Sequence, residues 1–349
     1  MSALADWVWH SDAAGAAVTR AMLTPLSHVF GWAVARRNAR FDRLAEAFGP
    51  DALPAMPLPA ISIGNLTVGG TGKTPVASWF LSRLLARGAH PALVLRGYGD
   101  DEWRVHLMLT PEAPVITDAD RVRGAHTAVS RGADCVVLDD AFQHRRARRV
   151  SDVVLVSADQ WHPEVRLLPA GPYREGFVAL GRASAVVVTV KAASAEKTAA
   201  VLAALSRMVP AERIALVRLL PGGLRGWSQG DGPALQGLTA TLVSAIADPQ
   251  AFERQLEASG LTVRGHLRFP DHHRFTAEEV SKAVTVAQGG DGVVCTLKDA
   301  VKLGPLWPRF GPPLWYLSQT VVVDRGAEVL EEQCDRVLAA RRTTVPTAG

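Results

Sequence analysis

The hydrophobic positions after residue 59 alternate between short apolar runs and longer segments with helical spacing. The runs are typical of buried strands, and the longer segments repeat apolar side chains every three to four residues, as in a helix that packs on a sheet. The predicted strands are Ala60–Ile63, Ala92–Leu95, Cys135–Leu138, Val153–Val156, Ala185–Val190, Thr241–Ala245, Gly292–Thr296 and Thr320–Val323. The predicted helices are Pro75–Arg87, Ala119–Arg131, Ala195–Met208, Pro249–Ser259, Thr276–Ala287 and Ala327–Arg341. This alternation predicts an α/β fold with a mostly parallel sheet and helices on both faces.

Two breaks in composition divide the chain. Pro50–Pro59 is rich in proline and ends an amino-terminal helical region, and Pro221–Gly237 contains six glycines and two prolines. Such densities of proline and glycine predict irregular chain between folded segments. We therefore predict a helical region over 1–49, a nucleotide-binding α/β domain over 50–220, a hinge or linker over 221–237 and a smaller α/β domain over 238–349. The 349 residues are enough for two domains with a core each.

The amino-terminal region contains an uncharged segment followed by a cluster of arginines. The segment Ala21–Ala35 is 15 residues long and includes Pro25, whereas a helix that spans a bilayer needs about 20 apolar residues, so we expect no crossing. Residues 1–20 lack the pattern of a signal peptide, so export is not expected. The arginines that follow are Arg36, Arg37, Arg40 and Arg43. Two interpretations stay open: a helix on an anionic membrane surface, or a helix packed on the core with a solvated basic face.

The composition excludes several classes of protein. Hydrophobic residues make up 48% of the chain and charged residues 21%, which is ordinary for a globular protein and excludes a disordered or fibrous one. The net charge is +4 and the cations are scattered, so we expect no nucleic-acid partner. The three cysteines lie far apart in sequence, which favours a reducing compartment over a disulfide scaffold or a zinc module.

The strongest local motif lies between the strand at 60–63 and the helix that follows it. Its residues are Thr67, Val68, Gly69, Gly70, Thr71, Gly72, Lys73 and Thr74. Glycines in such a turn let backbone N–H groups converge on phosphate oxygens at the positive end of a helix. Lys73 is expected to bind the terminal phosphates of a nucleotide, and the Thr74 hydroxyl to be a ligand of Mg²⁺. Because the usual motif has glycine where this chain has Thr67, a glycine-rich turn without phosphate binding stays an alternative.

Acidic residues and a histidine pair supply the other candidates. Asp139 and Asp140 end an apolar strand, and in this architecture such acids hold Mg²⁺ directly or through water. Because neighbouring residues of a strand point to opposite faces, we expect the two carboxylates to have different roles. A kinase also needs a base that accepts the proton of the attacking hydroxyl. The candidates are Asp100, Asp101 and Glu102, and His272 and His273 further along the chain.

Several short sequence motifs follow one another through most of the chain. They are Leu26-Ser27 with Gly31, Ile63–Pro75, Arg96–Gly99, Asp139–Arg145, Leu168–Glu175, Ala245–Pro249, Phe269–His273 and Thr296–Lys302. In this combination and order they resemble the lipid A 4′-kinase family, the tetraacyldisaccharide 4′-kinases. The displaced glycines of the phosphate loop are that family's own variant, so the resemblance favours phosphate binding.

The resemblance implies ATP-dependent phosphorylation, with Mg²⁺, of the 4′-hydroxyl of a tetraacylated glucosamine disaccharide 1-phosphate, which gives the bis-phosphorylated lipid A precursor. It implies a peripheral protein on the cytoplasmic face of the inner membrane of a Gram-negative-type bacterium, without an obligate protein partner. The membrane-surface interpretation of the amino-terminal helix is favoured accordingly. In this family the base is the acid of a Gly-Asp-Glu string, so matching Glu102 assigns it to Asp101, with His272 as its partner and Asp100 as the alternative.

Three positions depart from the family pattern. Ala141 replaces a usual glycine, Leu297 replaces a usual glutamate, and the segment before Asp101 is shortened.

A membrane-associated ATPase switch has a similar loop, but such loops carry an extra lysine near their start, where this chain has Val68. A GTPase needs an Asn-Lys-x-Asp string, which Thr296–Asp299 does not match. The lipid kinase is therefore the preferred hypothesis.

Overall fold

The chain folds into two compact units with separate cores. The structure is a computed structural model that describes residues 3–49, 56–97, 101–228, 230–246, 248–271 and 273–344. Within these residues the first unit, called the phosphate-loop unit below, comprises 4–49, 56–97, 106–219 and 321–344. The second unit comprises 3, 101–105 and 220–320.

Strands and helices alternate along most of the chain. The strands are β1 (Ala60–Asn65), β2 (Pro91–Leu95), β3 (Val115–Thr117), β4 (Cys135–Asp139), β5 (Ser151–Ser157), β6 (Ala185–Val190), β7 (Ile214–Gly226), β8 (Thr239–Ser244), β9 (Thr262–Arg268), β10 (Gly292–Thr296) and β11 (Leu314–Arg325). The helices are α1 (Ala3–His10), α2 (Ala14–Phe48), α3 (Lys73–Ala86), α4 (Glu102–Leu109), α5 (Arg121–Ser130), α6 (Ala195–Leu205), α7 (Pro249–Ala258), α8 (Ala277–Val286), α9 (Leu297–Leu303) and α10 (Ala327–Thr344). The predicted α/β class with parallel strands is confirmed.

The sheet of the phosphate-loop unit is parallel and buried. Its strand order is β3-β2-β4-β1-β5-β6-β7. Every residue of β1, β2, β4 and β6 is buried, as expected for a parallel sheet that is covered on both faces. This burial explains why these strands are continuous apolar runs in the sequence and not alternating ones.

The order of the strands creates a crevice at the carboxyl end of β1. Strands β4, β2 and β3 follow on one side of β1, and β5, β6 and β7 follow on the other. Ligands of open α/β sheets bind at such a reversal, outside the carboxyl ends of the strands. The loop at 66–72 leaves β1 at this point, and β4 ends beside it, because Ile63 of β1 pairs in register with Asp139 of β4.

The long helix α2 is attached to the phosphate-loop unit by a small part of its surface. The helix has 35 residues, of which Ala16 and Ser27 are buried. The Ser27 hydroxyl donates to the carbonyl of Leu167 at 2.9 Å and accepts from the N–H of Ala170 at 3.0 Å. A side chain at Gly31 would lie 2.7 Å from Leu167, so glycine permits the close approach. Among the described residues, no helix has both the length and the apolar character needed to cross a bilayer.

The second unit has its own parallel strands, in the order β11-β10-β8-β9. Its core is formed mainly by leucine, phenylalanine and valine side chains of β8, α7 and β10. The segment after β9 is fixed by His273, whose ring bonds the carboxylate of Glu279 at 2.9 Å and stacks on Phe269. Lys302 of α9 donates to the carbonyl of His273 at 3.1 Å.

The first six residues of the predicted linker at 221–237 lie in a strand, because β7 continues to Gly226. Gly222, Gly223 and Gly226 lie within this strand and do not mark a turn. A Cβ atom at Gly222 would lie 2.2 Å from the hydroxyl oxygen of Ser318, so glycine there permits close contact with β11. A sequence pattern alone does not distinguish a glycine that turns the chain from one that admits a neighbouring strand.

The predicted domain ends also differ from the observed units. Residues 321–344 were assigned to the carboxyl-terminal domain, but they belong to the phosphate-loop unit, as do the helices at 4–48. The buried side chain of Gln333 in α10 accepts a hydrogen bond from Ser151 of β5 at 2.8 Å. Glu331 of α10 pairs with both Arg83 and Arg87 at the end of α3. These contacts join parts of the chain that are far apart in sequence, so local composition could not predict them.

The glycine that precedes the end of β1 should be required for stability. A Cβ atom at Gly64 would lie 2.5 Å from the Cβ and 2.9 Å from the backbone nitrogen of Phe142. We expect Gly64→Ala to lower the free energy of unfolding by about 1–3 kcal/mol, measured by urea denaturation. Gly181→Ala is the control, since no atom lies within 4 Å of a Cβ there. Equal effects of the two substitutions would contradict this account.

Candidate nucleotide-binding site

Hydrogen bonds to neighbouring segments of the chain fix the phosphate loop in place. The N–H of Val68 donates to the carbonyl of Pro172 at 2.8 Å, and the hydroxyl of Thr189 donates to the carbonyl of Thr71 at 2.9 Å. Gly69 and Gly72 have φ values of 126° and 86°, in the left-handed region that favours glycine. Gly72 directly precedes α3, so the loop ends at the positive terminus of a helix, where anions bind.

Lys73 begins α3 and lies beside polar groups from two strand ends. Its ammonium donates to the side-chain oxygen of Asn65 at 3.2 Å and lies 3.8 Å from a carboxylate oxygen of Asp140. The side-chain nitrogen of Asn65 donates in turn to the hydroxyl of Thr71 at 2.9 Å. Thr74, the next helical residue, is half-buried. Lys191 adds a second cation, because its ammonium donates to the carbonyl of Gly70 at 3.3 Å.

Arg174 connects the phosphate loop with the end of β4. Its guanidinium donates to both carboxylate oxygens of Asp140, at 2.8 and 3.2 Å. The same guanidinium donates to the carbonyl of Thr67 at 3.0 Å and to the side chain of Asn65. Its backbone N–H donates to the carbonyl of Leu66 at 2.7 Å. This one residue therefore fixes the loop and a candidate metal ligand together.

Asp139 and Asp140 point to different surroundings. Asp140 has φ = 48°, a left-handed conformation that aspartate adopts more readily than most residues, and the chain turns there. Its carboxylate faces Lys73 and Arg174, whereas the buried Asp139 bonds the ring of His106 at 3.0 Å. Arg121, also buried, donates to the backbone carbonyl of Asp139 at 3.2 Å. The different orientations agree with the sequence argument, and their roles at a metal stay a prediction.

Charge and burial oppose each other in this cluster. Burial raises the pKa of Asp140, but Lys73 and Arg174 outweigh it, so the net pKa lies below the usual value. Burial lowers the pKa of the Arg121 guanidinium, and the nearby carboxylates of Asp140 and Asp139 partly counter this shift. Arginine stays charged under these conditions, so Lys73, Arg174 and Arg121 place three cations beside the two carboxylates, in addition to Lys191 at the loop. Such a surplus suits a polyanionic ligand.

The donor set fits Mg²⁺. One carboxylate oxygen of Asp139, Oδ1, is buried and has no hydrogen-bond partner among the described residues. An unpaired buried carboxylate oxygen is costly, and a hard cation compensates for it. Mg²⁺ prefers oxygen ligands and commonly binds through one or two carboxylates together with phosphate oxygens and water.

The structure brings together some of the predicted residues and leaves others untested. The loop 67–74, Asp139 and Asp140 lie together at the carboxyl ends of β1 and β4. Asp101 is buried and directly precedes α4, in the second unit. Asp100 and His272 lie outside the described residues, so the predicted pairing of Asp101 with His272 stays a prediction.

Four polar residues that bond Lys73, Asp139 or Asp140 had no predicted role. They are Asn65, His106, Arg121 and Arg174. Asn65 and Arg174 lie inside the motifs that resemble the family, so the sequence could have identified them as site residues. His106 and Arg121 lie in helices and had none, because only the fold brings them to Asp139.

Comparison with known proteins agrees with this geometry. The sequence profile of the LpxK family, tetraacyldisaccharide-1-P 4′-kinase, matches residues 19–339. A tetraacyldisaccharide 4′-kinase of Anaeromyxobacter dehalogenans strain 2CP-1 is 38% identical over 89% of this chain and 88% of its own. One of Chlorobium luteolum is 32% identical over 91% and 97%. A crystal structure of LpxK from Aquifex aeolicus in complex with ATP superposes with a TM-score of 0.72, covering 91% of this chain and 99% of that one at 24% identity.

The fold and the loop are those of a P-loop nucleotide-binding protein, with the phosphate loop at the central strand of a parallel sheet. Within that class, the chain belongs to the tetraacyldisaccharide-1-P 4′-kinase family and is a kinase of lipid A biosynthesis. The ATPase switch that the sequence left as an alternative is not favoured by these relatives.

The charge pairing around Asp140 should be visible in the acid stability of the protein. Because the folded pKa is lowered, the pairing stabilises the fold above the usual aspartate pKa of 3.8 and is lost as the pH falls through the lower folded value. Lys73→Met removes the strongest charge that lowers this pKa. We expect the free energy of unfolding of the variant to fall less steeply between about pH 5 and pH 2.5 than that of the wild type. The exposed Lys282→Met is the control, and equal slopes for Lys73→Met and wild type would contradict the prediction.

Proposed function

We propose that the protein transfers the γ-phosphoryl group of ATP to the 4′-hydroxyl of tetraacyldisaccharide 1-phosphate. The hydroxyl oxygen forms a bond to the γ-phosphorus, the bond from that phosphorus to the bridging oxygen breaks, and ADP leaves. The observation that carries the proposal is the phosphate loop with Lys73 between Asn65 and Asp140, in a chain of this family. ATP as the donor is supported by the complex of the Aquifex aeolicus relative.

The phosphate loop binds and orients the nucleotide. Backbone N–H groups of 69–74 and the terminus of α3 surround the β- and γ-phosphates, and Lys73 exchanges Asp140 for phosphate oxygens. Arg174 and Arg121 add positive charge beside Asp140 and Asp139, where β4 ends. Since little covalent chemistry is needed, most of the rate enhancement comes from positioning and from neutralising charge in the transition state.

The ligands proposed for Mg²⁺ are the Thr74 hydroxyl, Asp139 and Asp140. The metal would supply charge neutralisation on the phosphates. Asp139 is suited to this role because its buried Oδ1 has no hydrogen-bond partner among the described residues. Asp140 is suited because Lys73 and Arg174 lower its pKa and Arg174 orients it.

Asp101 is proposed as the base that accepts the hydroxyl proton, with His272 as its partner. The support is the match to the family's Gly-Asp-Glu and Asp-His strings and the burial of Asp101. Asp100 is the alternative base.

We propose that α2 lies on the cytoplasmic face of the inner membrane. Its exposed apolar side chains repeat at three- and four-residue spacing and form one stripe, which we call the α2 stripe. They are Val18, Met22, Leu26, Val29 and Trp32. Exposed Arg36, Arg40 and Arg43 follow the stripe, as in a helix that inserts apolar residues into an anionic leaflet. The acyl chains of the substrate would remain in that leaflet while its sugar reaches the kinase.

A transfer assay tests the proposed activity and the two central residues. Labelled ATP, Mg²⁺ and tetraacyldisaccharide 1-phosphate in detergent micelles should give labelled lipid. We expect Lys73→Ala to lower kcat by about 100- to 1000-fold, because a phosphate-neutralising charge is lost. Asp101→Asn should lower it by about 100- to 10000-fold, because the base is lost but the shape is kept.

Two outcomes of this assay would decide against the proposal. Hydrolysis of ATP without lipid product would exclude the lipid kinase, and full activity of Asp101→Asn with loss in Asp100→Asn would move the base by one residue. Lys282→Ala, an exposed lysine of α8, is the control for loss of a positive charge and should retain activity.

The membrane proposal is tested by vesicle binding. Met22 and Trp32 are 75% and 65% exposed, so their replacement by serine should not disturb the core. We expect the double variant Met22→Ser/Trp32→Ser to bind vesicles with anionic lipid at least about tenfold more weakly, because buried apolar area is lost. Val178→Ser is the control, since Val178 is 96% exposed but lies outside the α2 stripe. Equal binding of the double variant and wild type would overturn the proposal.

A further inference from the structure

The imidazole of His106 is enclosed in the phosphate-loop unit behind the candidate metal site. Its side chain is fully buried, and Nε2 lies 3.0 Å from Oδ2 of Asp139. His106 lies in α4, outside the phosphate loop and the strand that ends in Asp139. One other group bonds Asp139 here, since Arg121 donates to its backbone carbonyl, and Oδ1 of the carboxylate has no hydrogen-bond partner within the part of the chain that the structure describes.

The direction of the hydrogen bond follows from the chemistry of the two groups. An ionised carboxylate only accepts, so Nε2 carries the proton and donates to Oδ2. The other ring nitrogen, Nδ1, is buried and has no hydrogen-bond partner among the described residues. The imidazole thus makes one hydrogen bond, to the carboxylate.

Because of this bond, the two oxygens of the Asp139 carboxylate have different surroundings. Oδ2 is bonded by the imidazole, and Oδ1 has no partner among the residues that the structure describes. The aspartate side chain has one torsion that turns the carboxylate plane, and a bond at Oδ2 fixes that plane. Groups that orient a metal-binding side chain in this way commonly change metal affinity by about 10- to 100-fold when removed.

We propose that His106 is a positioning residue for the metal site: its Nε2–H fixes Oδ2 of Asp139 so that Oδ1 is presented to the divalent cation. The inference rests on the proposed role of Asp139 at the metal. An apolar residue of similar size would fill the same volume without this effect, and a merely structural histidine would not influence metal affinity.

The test measures binding of Mn²⁺ by electron paramagnetic resonance, with a non-hydrolysable ATP analogue and full-length protein. We expect His106→Leu, which keeps the volume but has no donor, to weaken Mn²⁺ by about 10- to 100-fold. His106→Gln can place an amide N–H near the position of Nε2, so it should recover most of the affinity. In transfer assays the Leu variant should need more Mg²⁺ for half-maximal rate, with kcat at saturating Mg²⁺ much less affected.

His266→Leu is the matched control. His266 is also buried and bonds a carboxylate, Glu253, at 2.8 Å, but it lies in the second unit. Its replacement should lower thermal stability and leave the Mn²⁺ affinity unchanged. Circular dichroism and thermal melting of each variant establish that the measured affinity belongs to folded protein.

Asp139→Asn separates this inference from the proposed function. If Asp139→Asn loses Mn²⁺ affinity and His106→Leu binds Mn²⁺ like wild type, the positioning role is wrong and the metal role of Asp139 stands. If Asp139→Asn itself binds Mn²⁺ like wild type, both are wrong. Equal losses in His106→Leu and His106→Gln would also overturn the inference, because the donor would then not matter.

Discussion

The guanidinium of Arg174 lies between the phosphate loop and Asp140, and the geometry of both depends on it. It bonds both carboxylate oxygens of Asp140, the carbonyl of Thr67 and the side chain of Asn65. A planar guanidinium suits this task because its donors point in fixed directions, whereas a lysine would offer a single point of charge. Asp140 therefore lies between two cations, Lys73 and the more precisely oriented Arg174.

The site places opposite charges close together before any ligand is present. Removing one partner of such a set is costly, since it leaves the other without compensation. Lys73, Arg174 and Arg121 outnumber Asp139 and Asp140, and a nucleotide with its metal would restore the balance. The positive charges of Lys73 and Arg174 also explain why the pKa of Asp140 is lowered.

The same loop that carries Arg174 also holds the amino-terminal helix. Ser27 bonds the carbonyl of Leu167 and the N–H of Ala170, and Glu175 pairs with Arg37 and Arg182. Residues 167–175 therefore contact α2 on one side and the phosphate loop on the other. A membrane-bound α2 would keep the phosphate-binding groups at a defined distance from the lipid surface.

The sequence by itself determined the class of fold, the phosphate loop and the family. These follow from neighbouring residues: apolar runs indicate buried parallel strands, and Gly69, Gly72 and Lys73 have their meaning within one turn. The tertiary structure alone decided that β7 continues through Gly222 and that α10 belongs to the phosphate-loop unit. It also decided that His106 and Arg121 converge on Asp139, 33 and 18 residues away in sequence. The reason is physical: a period of two or 3.6 residues reports local burial, but the partner of a buried polar group is chosen by packing between distant segments.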